Sequence, residues 1–303
     1  IGESGGLLVD EYLRTSDPDI YAAGDMVEVT QKVSGRKVRI PLAGPANRQG
    51  RIAAGNALAD QPGSAVQPVR YRGALGTSVV KLLDATAAST GLTEKAARDA
   101  GFDAGACVIH KDHHAGYYPG GKLLTLKLVY ERKTGRLLGA QAFGKEGVEK
   151  RIDVLATALH GRMTIEDLAE LDLSYAPPYS SANDPVNMAA FVAGNDLSGF
   201  SPILTGDEAA SRYDSETGVI LDVRNLGEFE KGRVRDSLNI PVDELRSRIA
   251  ELPKEKNIFV YCAVGFRGHL AVRILKEHGF NSVWNITGGY TSIQANGNFA
   301  EER

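Results

Sequence analysis

The stretch NIFVYCAVGFRGHLAVRILKEHG, residues 257–279, constrains the fold more than any other. Its first five residues are nearly all apolar or β-favouring, which suits a central strand buried on both faces rather than one with a solvated side. Residues 269–279 then carry Leu270, Ile274 and Leu275 at helical spacing and stop at Gly279. GVILDVR (218–224) and SVWNITGG (282–289) supply further apolar runs, and VDELRSRIAEL (242–252) reads as a further helix. Strands alternating with helices predict a small α/β domain with a parallel sheet, in which sites form at the carboxyl ends of the strands.

Upstream, the pattern differs. Residues 1–62 read as strand, turn, strand, loop and helix: GLLVDEYLRT, a buried strand at Ile20–Ala23, then ANRQGRIAAGNALAD. This is too little to bury a core alone. Residues 66–192 read as α+β. They hold a strand SVVKLLD, a helix opened by Thr93 and stopped by Gly101, three strands around ACVIHKD, LLTLKLVYER and RLLGAQAFG, and the helices VEKRIDVLATALHGRM and TIEDLAELD. AGNDLSGFSP (193–202) reads as a linker to a third unit, residues 201–303.

With 43% hydrophobic and 24% charged residues, a formal charge of -3 and no long apolar run, the composition points away from nucleic acid and from a membrane span. Cys107 and Cys262, the two cysteines of the 303 residues, have neither disulfide-framework nor metal-finger spacing and read as thiols of a reducing cytoplasm. No export signal is visible, and IGESGGLLVD reads like the interior of a longer protein. Cys107 falls in an apolar strand pattern and reads as structural. His110, His113 and His114 read as solvent-facing loop residues rather than metal ligands, because no carboxylate or cysteine stands at ligand spacing.

Cys262 ends the central strand, where loop N–H groups and the positive end of the next helix favour a thiolate. Ala263, Val264, Gly265, Phe266 and Gly268 form the expected cradle, and Arg267 adds a cation. CAVGFR resembles the active-site loop of the rhodanese family of sulfurtransferases, as do LDVRNLGEFEKGRV, SLNIP and NITGGY, over about residues 201–295. The resemblance implies that Cys262 carries sulfane sulfur as a persulfide, stabilised by the loop amides and Arg267. The Cys-x4-Arg spacing is one residue shorter than in the related phosphatases. GRV, RDS and the absence of a Trp after the last Gly-Gly depart from the family's pattern.

TSDPDIYAAGD resembles the second FAD motif of the pyridine nucleotide-disulfide oxidoreductase family, in which Gly24 and Asp25 would hold the flavin's ribityl chain. PLAGPANRQGR resembles that family's helix facing the flavin, with the backbone of Leu42 and Ala43 near the ring. Residues 66–192 resemble its dimerisation domain, in the branch of the CoA-disulfide reductases and NADH oxidases. There, Tyr117 or Tyr118 and Tyr175 or Tyr179 match tyrosines that reach the partner subunit's redox cysteine, Tyr117 and Tyr175 being preferred.

The resemblances together imply the C-terminal portion of a CoA-disulfide reductase fused to a rhodanese domain. FAD and the NAD(P)H co-substrate would belong to the full-length homodimer, whose dinucleotide fingerprint and redox cysteine would precede Ile1. Coenzyme A disulfide, CoA persulfide, polysulfide and thiosulfate are the implied substrates. Two other readings stand beside this one: an NADH oxidase or peroxidase with an accessory rhodanese domain, and a dimeric sulfur-carrying module without redox turnover.

Overall fold

The computed structural model describes residues 1–302. Its first segment holds β1 (Leu7–Leu8), β2 (Val27–Thr30), β3 (Lys37–Arg39) and α1 (Ala43–Ala59). β2 is the middle strand, parallel to β1 and antiparallel to β3. The strand expected at Ile20–Ala23 is not formed. Tyr21 makes an isolated bridge to Arg14, and Ile20 is 53% exposed. The alternating, β-branched VEVT forms the strand instead, within the stretch read as a loop, and buries Val27 and Val29 with Leu13, Ile40 and Ala53.

The middle segment contains β4 (Ser78–Leu82), β5 (Ala85–Gly91), α2 (Glu94–Asp99), β6 (Ala104–Asp112), β7 (Leu123–Glu131), β8 (Leu137–Gly144), α3 (Val148–His160), α4 (Ile165–Ala169) and α5 (Pro185–Leu197). The five strands form an antiparallel sheet in the order β4-β5-β8-β7-β6. β5 is an addition to the sequence reading. ATAASTG is poor in strand-favouring residues, and the tight turn before it places Leu83, not a glycine, at positive φ. Leu126 and Leu128 of the sheet share one core with Leu155 of α3 and Ala189 and Ala190 of α5.

The stretch read as a linker is helical as far as Leu197, because α5 continues through Ala193 and Gly194. Asp196 then fixes the exit: it accepts from Tyr130 Oη at 2.7 Å, Arg132 Nη1 at 2.8 Å and the N–H of Ile203 at 3.0 Å.

The last segment comprises β9 (Ile203–Leu204), α6 (Gly206–Arg212), β10 (Gly218–Asp222), α7 (Leu226–Phe229), β11 (Arg233–Val234), β12 (Leu238–Asn239), β13 (Asn257–Tyr261), α8 (Phe266–Glu277), β14 (Val283–Ile286), α9 (Gly289–Asn296) and β15 (Glu301–Glu302). The parallel sheet runs β12-β10-β13-β14-β9, so β13 is central as its apolar sequence requires. VDELRSRIAEL does not form the expected helix and contains only a 3₁₀ turn at Ile249–Glu251. Pro253 holds Leu252 extended, which ends that turn. In α8 the buried stripe is Ala271, Val272, Ile274 and Leu275, whereas Leu270 is 39% exposed.

Candidate functional site

Tyr261 is the last residue of β13, and Cys262 follows it with 1% exposure. The loop turns at Gly265, the N-cap of α8, with φ 112°, a conformation that side chains with a Cβ rarely adopt. Gly265 donates its N–H to Cys262 Sγ at 3.1 Å.

The loop carbonyls are held from behind. Cys262 O accepts from Tyr290 N at 2.7 Å, and Ala263 O accepts from Thr291 N at 3.1 Å and Thr291 Oγ1 at 3.0 Å. Gly265 O accepts from His269 N and Asn285 Nδ2, each at 3.0 Å. Among the described residues, the N–H groups of Val264, Phe266, Arg267 and Gly268 have no protein acceptor. With their carbonyls tied back, these amides form a nest suited to an anion or a sulfur carrying negative charge.

Arg267 stands at the rim of the nest. Its guanidinium grips Glu228 of α7 with two bonds, Nη1–Oε2 at 2.7 Å and Nη2–Oε1 at 2.8 Å. That pairing holds the Glu228 carboxyl below its usual range and raises Arg267, to which Cys262 also contributes. Sequence reasoning assigned Glu228 no role. Its visible signal was the Asn225-to-Glu228 spacing that opens α7, where Glu228 accepts from Asn225 N at 3.1 Å.

Asp222 and Arg224 of the LDVR stretch form a buried pair, Nη2–Oδ2 2.6 Å, with the guanidinium over the Tyr290 ring at 4.1 Å. They brace the turn behind the loop.

Cys107 is a different thiol. It is fully buried in β6, donates to Ala189 O at 3.4 Å, and burial pushes its pKa up to about 12. The histidines are not solvent-facing as expected. His113 and His114 are buried, and His110 lies within β6, bonded at 2.8 Å to both Thr125 and Ser292. Ile109 and Ala115 are buried beside them, and the buried Arg151 donates to His113 O at 2.7 Å, which draws this part of the chain into the protein.

Residues 77–185 match the family Pyridine nucleotide-disulphide oxidoreductase, dimerisation domain, residues 1–50 match Pyridine nucleotide-disulphide oxidoreductase, and residues 205–296 match Rhodanese-like domain. The chain belongs to the pyridine nucleotide-disulphide oxidoreductase family and carries a rhodanese-like domain. It is 40% identical over 192 residues to the NAD(P)H sulfur oxidoreductase (CoA-dependent) of Pyrococcus abyssi, covering 63% of this chain and 41% of that one. The crystal structure of reduced Bacillus anthracis CoADR-RHD matches with a TM-score of 0.88 at 41% identity, over 97% of this chain and 52% of that one. An NAD-dependent persulfide reductase from A. fulgidus matches with a TM-score of 0.79 at 43% identity, over 95% and 51%. The chain thus spans about half the length of the structures it matches.

In the dimerisation domain, Tyr117 Oη and Tyr175 Oη lie 2.6 Å apart, both on exposed side chains. Their mutual hydrogen bond raises the Tyr175 phenol above its ordinary value. Tyr118 packs edge-on against His114, ring centroids 5.5 Å apart, and Tyr179 is exposed. The resemblance implied Tyr117 or Tyr118 and Tyr175 or Tyr179, with Tyr117 and Tyr175 preferred; the structure pairs Tyr117 with Tyr175. Among the described residues, no hydrogen bond joins these tyrosines to the Cys262 loop.

In the oxidoreductase segment, Gly24 has φ 87° and donates its N–H to Gln49 Oε1 of α1 at 2.7 Å. Asp25 is exposed and sits before β2, not at the end of a preceding strand. The 17-residue α1 starts after Leu42 with no side-chain cap and no acidic residue in its first turn. Leu42 and Ala43 border a cavity of about 750 Å³ that also takes in Lys32, Arg48, Arg70 and Arg72. Burial first, then the charges of Arg48 and Arg72, holds the Lys32 ammonium below its usual pKa.

Proposed function

We propose that this chain is part of a flavin- and NAD(P)H-dependent reductase of CoA disulfide, CoA persulfide or polysulfide, in which Cys262 carries sulfane sulfur as a persulfide. The observation that carries the reading is the tied-back loop, with Gly265 N–H on Cys262 Sγ and unpartnered amides around it. Similarity to a CoA-dependent sulfur oxidoreductase and to a persulfide reductase supports the reduction half.

In the transfer step, the Cys262 thiolate attacks the sulfane sulfur of a donor such as thiosulfate. A Cys–S bond forms, the donor's S–S bond breaks, and sulfite leaves with the electron pair. The loop amides receive the charge on the terminal sulfur. A nucleophilic acceptor then attacks that sulfur and restores the thiolate.

The residues present fit a flavin. The uncapped amides of α1 and the cations beside Leu42 and Ala43 suit a ring edge that gains negative charge, and Asp25 offers a carboxylate to hydroxyl groups. When bound, the flavin would supply electron transfer from the nicotinamide. Homodimerisation through residues 66–192 would bring the Tyr117–Tyr175 pair to the partner's sulfur chemistry, where a phenol can donate to a thiolate. We place the three units at 1–62, 66–192 and 201–303, with α5 carrying the second on to Leu197.

Mass spectrometry after thiosulfate treatment tests the sulfur reading: one added sulfur on Cys262 is expected, and sulfur on Cys107 or nowhere overturns it. Comparing oxygen with CoA disulfide and polysulfide as acceptors for the full-length protein tests the reduction half. Preference for oxygen would favour the oxidase reading, which similarity to the water-forming NADH oxidase from Lactobacillus brevis, 28% identical with TM-score 0.60, keeps as the comparison.

Arg267→Ala should lower kcat/KM for thiosulfate by roughly tenfold, mostly through KM, because it leaves the Glu228 carboxylate unpaired before an anionic donor. Adding Glu228→Gln should recover part of that loss in the same assay. An unaltered KM in Arg267→Ala would show that the amides act without the rim cation.

A further inference from the structure

We propose that the edge strand β6 of the dimerisation domain is a working part of the sulfur site, with Thr287 as the residue that positions the Cys262 loop from it. This rests on the reading of Cys262 as the sulfur carrier and adds a positioning device that spans two domains.

β6 is the last strand of its sheet, and an edge strand presents backbone groups with no strand to pair them. At Val108 that opening is filled by one side chain from the rhodanese-like domain. Thr287 Oγ1 accepts from Val108 N at 2.9 Å and donates to Val108 O at 2.9 Å. Thr287 is buried, and its own N–H donates to Leu204 O at 2.9 Å. Five residues on, Ser292 Oγ meets His110 Nε2 of β6 at 2.8 Å, and His110 Nδ1 is fixed by Thr125 at 2.8 Å.

Between these two anchors lie Gly288 and the first turn of α9, whose Tyr290 and Thr291 N–H groups hold the carbonyls of Cys262 and Ala263. Gly288 and Gly289 both have positive φ, 75° and 56°. A Cβ on Gly289 would collide with the Cys262 carbonyl, and one on Gly288 with Ser292 Oγ. The turn therefore fits closely against the loop on one side and is pinned to β6 at both ends. A displacement of Thr287 is passed through two short backbone contacts to the amides that face the sulfur. Support of this kind, one layer behind the reacting atom, sets how well the donors are aimed.

The test uses this whole chain. Thr287→Val keeps the shape and removes both bonds to Val108. It should give a threefold to tenfold loss of kcat/KM for thiosulfate, and the rate of Cys262 alkylation by iodoacetamide at neutral pH should fall by a similar factor. Thr287→Ser, which keeps the hydroxyl, should restore both. The charged groups at the rim, Arg267 on α8 and Glu228 on α7, are unaltered in these variants. Arg98→Gln is the control for loose docking, since it loses the Arg98–Glu208 ion pair, 2.8 Å, at another part of the same domain contact. It should leave the alkylation rate where it was.

A folded Thr287→Val, by circular dichroism, with unaltered alkylation and transfer rates overturns the proposal. Equal losses of rate in Thr287→Val and Arg98→Gln also overturn it, because the effect would then belong to docking as a whole. If the unsubstituted chain takes up no sulfur, the carrier reading fails, while the alkylation rate still reports whether Thr287 positions the loop.

Discussion

Cys262→Ser is expected to reduce thiosulfate:cyanide sulfur transfer to background, a loss on the order of a thousandfold or more, with the fold intact. A serine fits the volume at this 1% exposed position and can still accept from Gly265 N–H. Its hydroxyl, however, has no accessible oxyanion near neutral pH and cannot form a persulfide. Cys107 cannot take over, because it is fully buried under α5 with its pKa pushed up to about 12. Cys107→Ala should accordingly keep full sulfur loading. Residual transfer above a few per cent in Cys262→Ser, with sulfur recovered on Cys107 by mass spectrometry, would remove Cys262 from its assigned place.

The elements that carry this site were legible for physical reasons. β13 and α8 declare themselves because a fully apolar run followed by glycines and a helical stripe has few other ways to fold. Cys262, Gly265 and Arg267 are contiguous, so local sequence was enough to group them. Glu228 lies 39 residues from Arg267, and Thr287 lies 179 residues from Val108, so neither contact has a local signature. β5 has no such signature because its alanines carry little strand preference, and its place is set by pairing with β4 and β8. The histidines were misplaced for a related reason: His113 and His114 are polar by type, but the loop that bears them is drawn inward by a buried arginine.

That arginine, Arg151, carries the second large expectation. It is 1% exposed on α3 and pairs with the equally buried Asp184 at the start of α5, Nη2–Oδ2 2.8 Å. Arg151 also donates to the carbonyls of His113 at 2.7 Å and Gly147 at 3.2 Å. Asp184 accepts from Ser180 Oγ at 2.6 Å and caps α5 through Val186 N–H at 3.0 Å. Asp184→Ala strands the arginine in the core and removes the cap together. It should cost about 3–5 kcal/mol and lower the thermal midpoint of this domain by more than about 10 °C.

Replacing both partners should cost less than replacing one. Arg151→Met with Asp184→Ser, in which serine retains a capping oxygen, should melt above Asp184→Ala. If the double variant is the less stable, the pair is favourable in itself and not merely costly to break.

The acid side gives the sign. Burial alone would raise the Asp184 carboxyl, but the Arg151 charge, Ser180 and the Val186 N–H outweigh it and hold the pKa below the ordinary value. A depressed folded pKa gives stability that is complete above the unfolded value of about 4 and is lost as pH falls through the folded one. The gap between the parent and Asp184→Asn should therefore be wide at pH 7 and begin to close only as the pH falls below about 4. Through His113 O and Ser180, the same pair joins the loop bearing Tyr117 to the segment bearing Tyr175. Before the domain melts, Asp184→Asn should already part the two phenols, seen as a fall of the Tyr175 titration toward the ordinary tyrosine value.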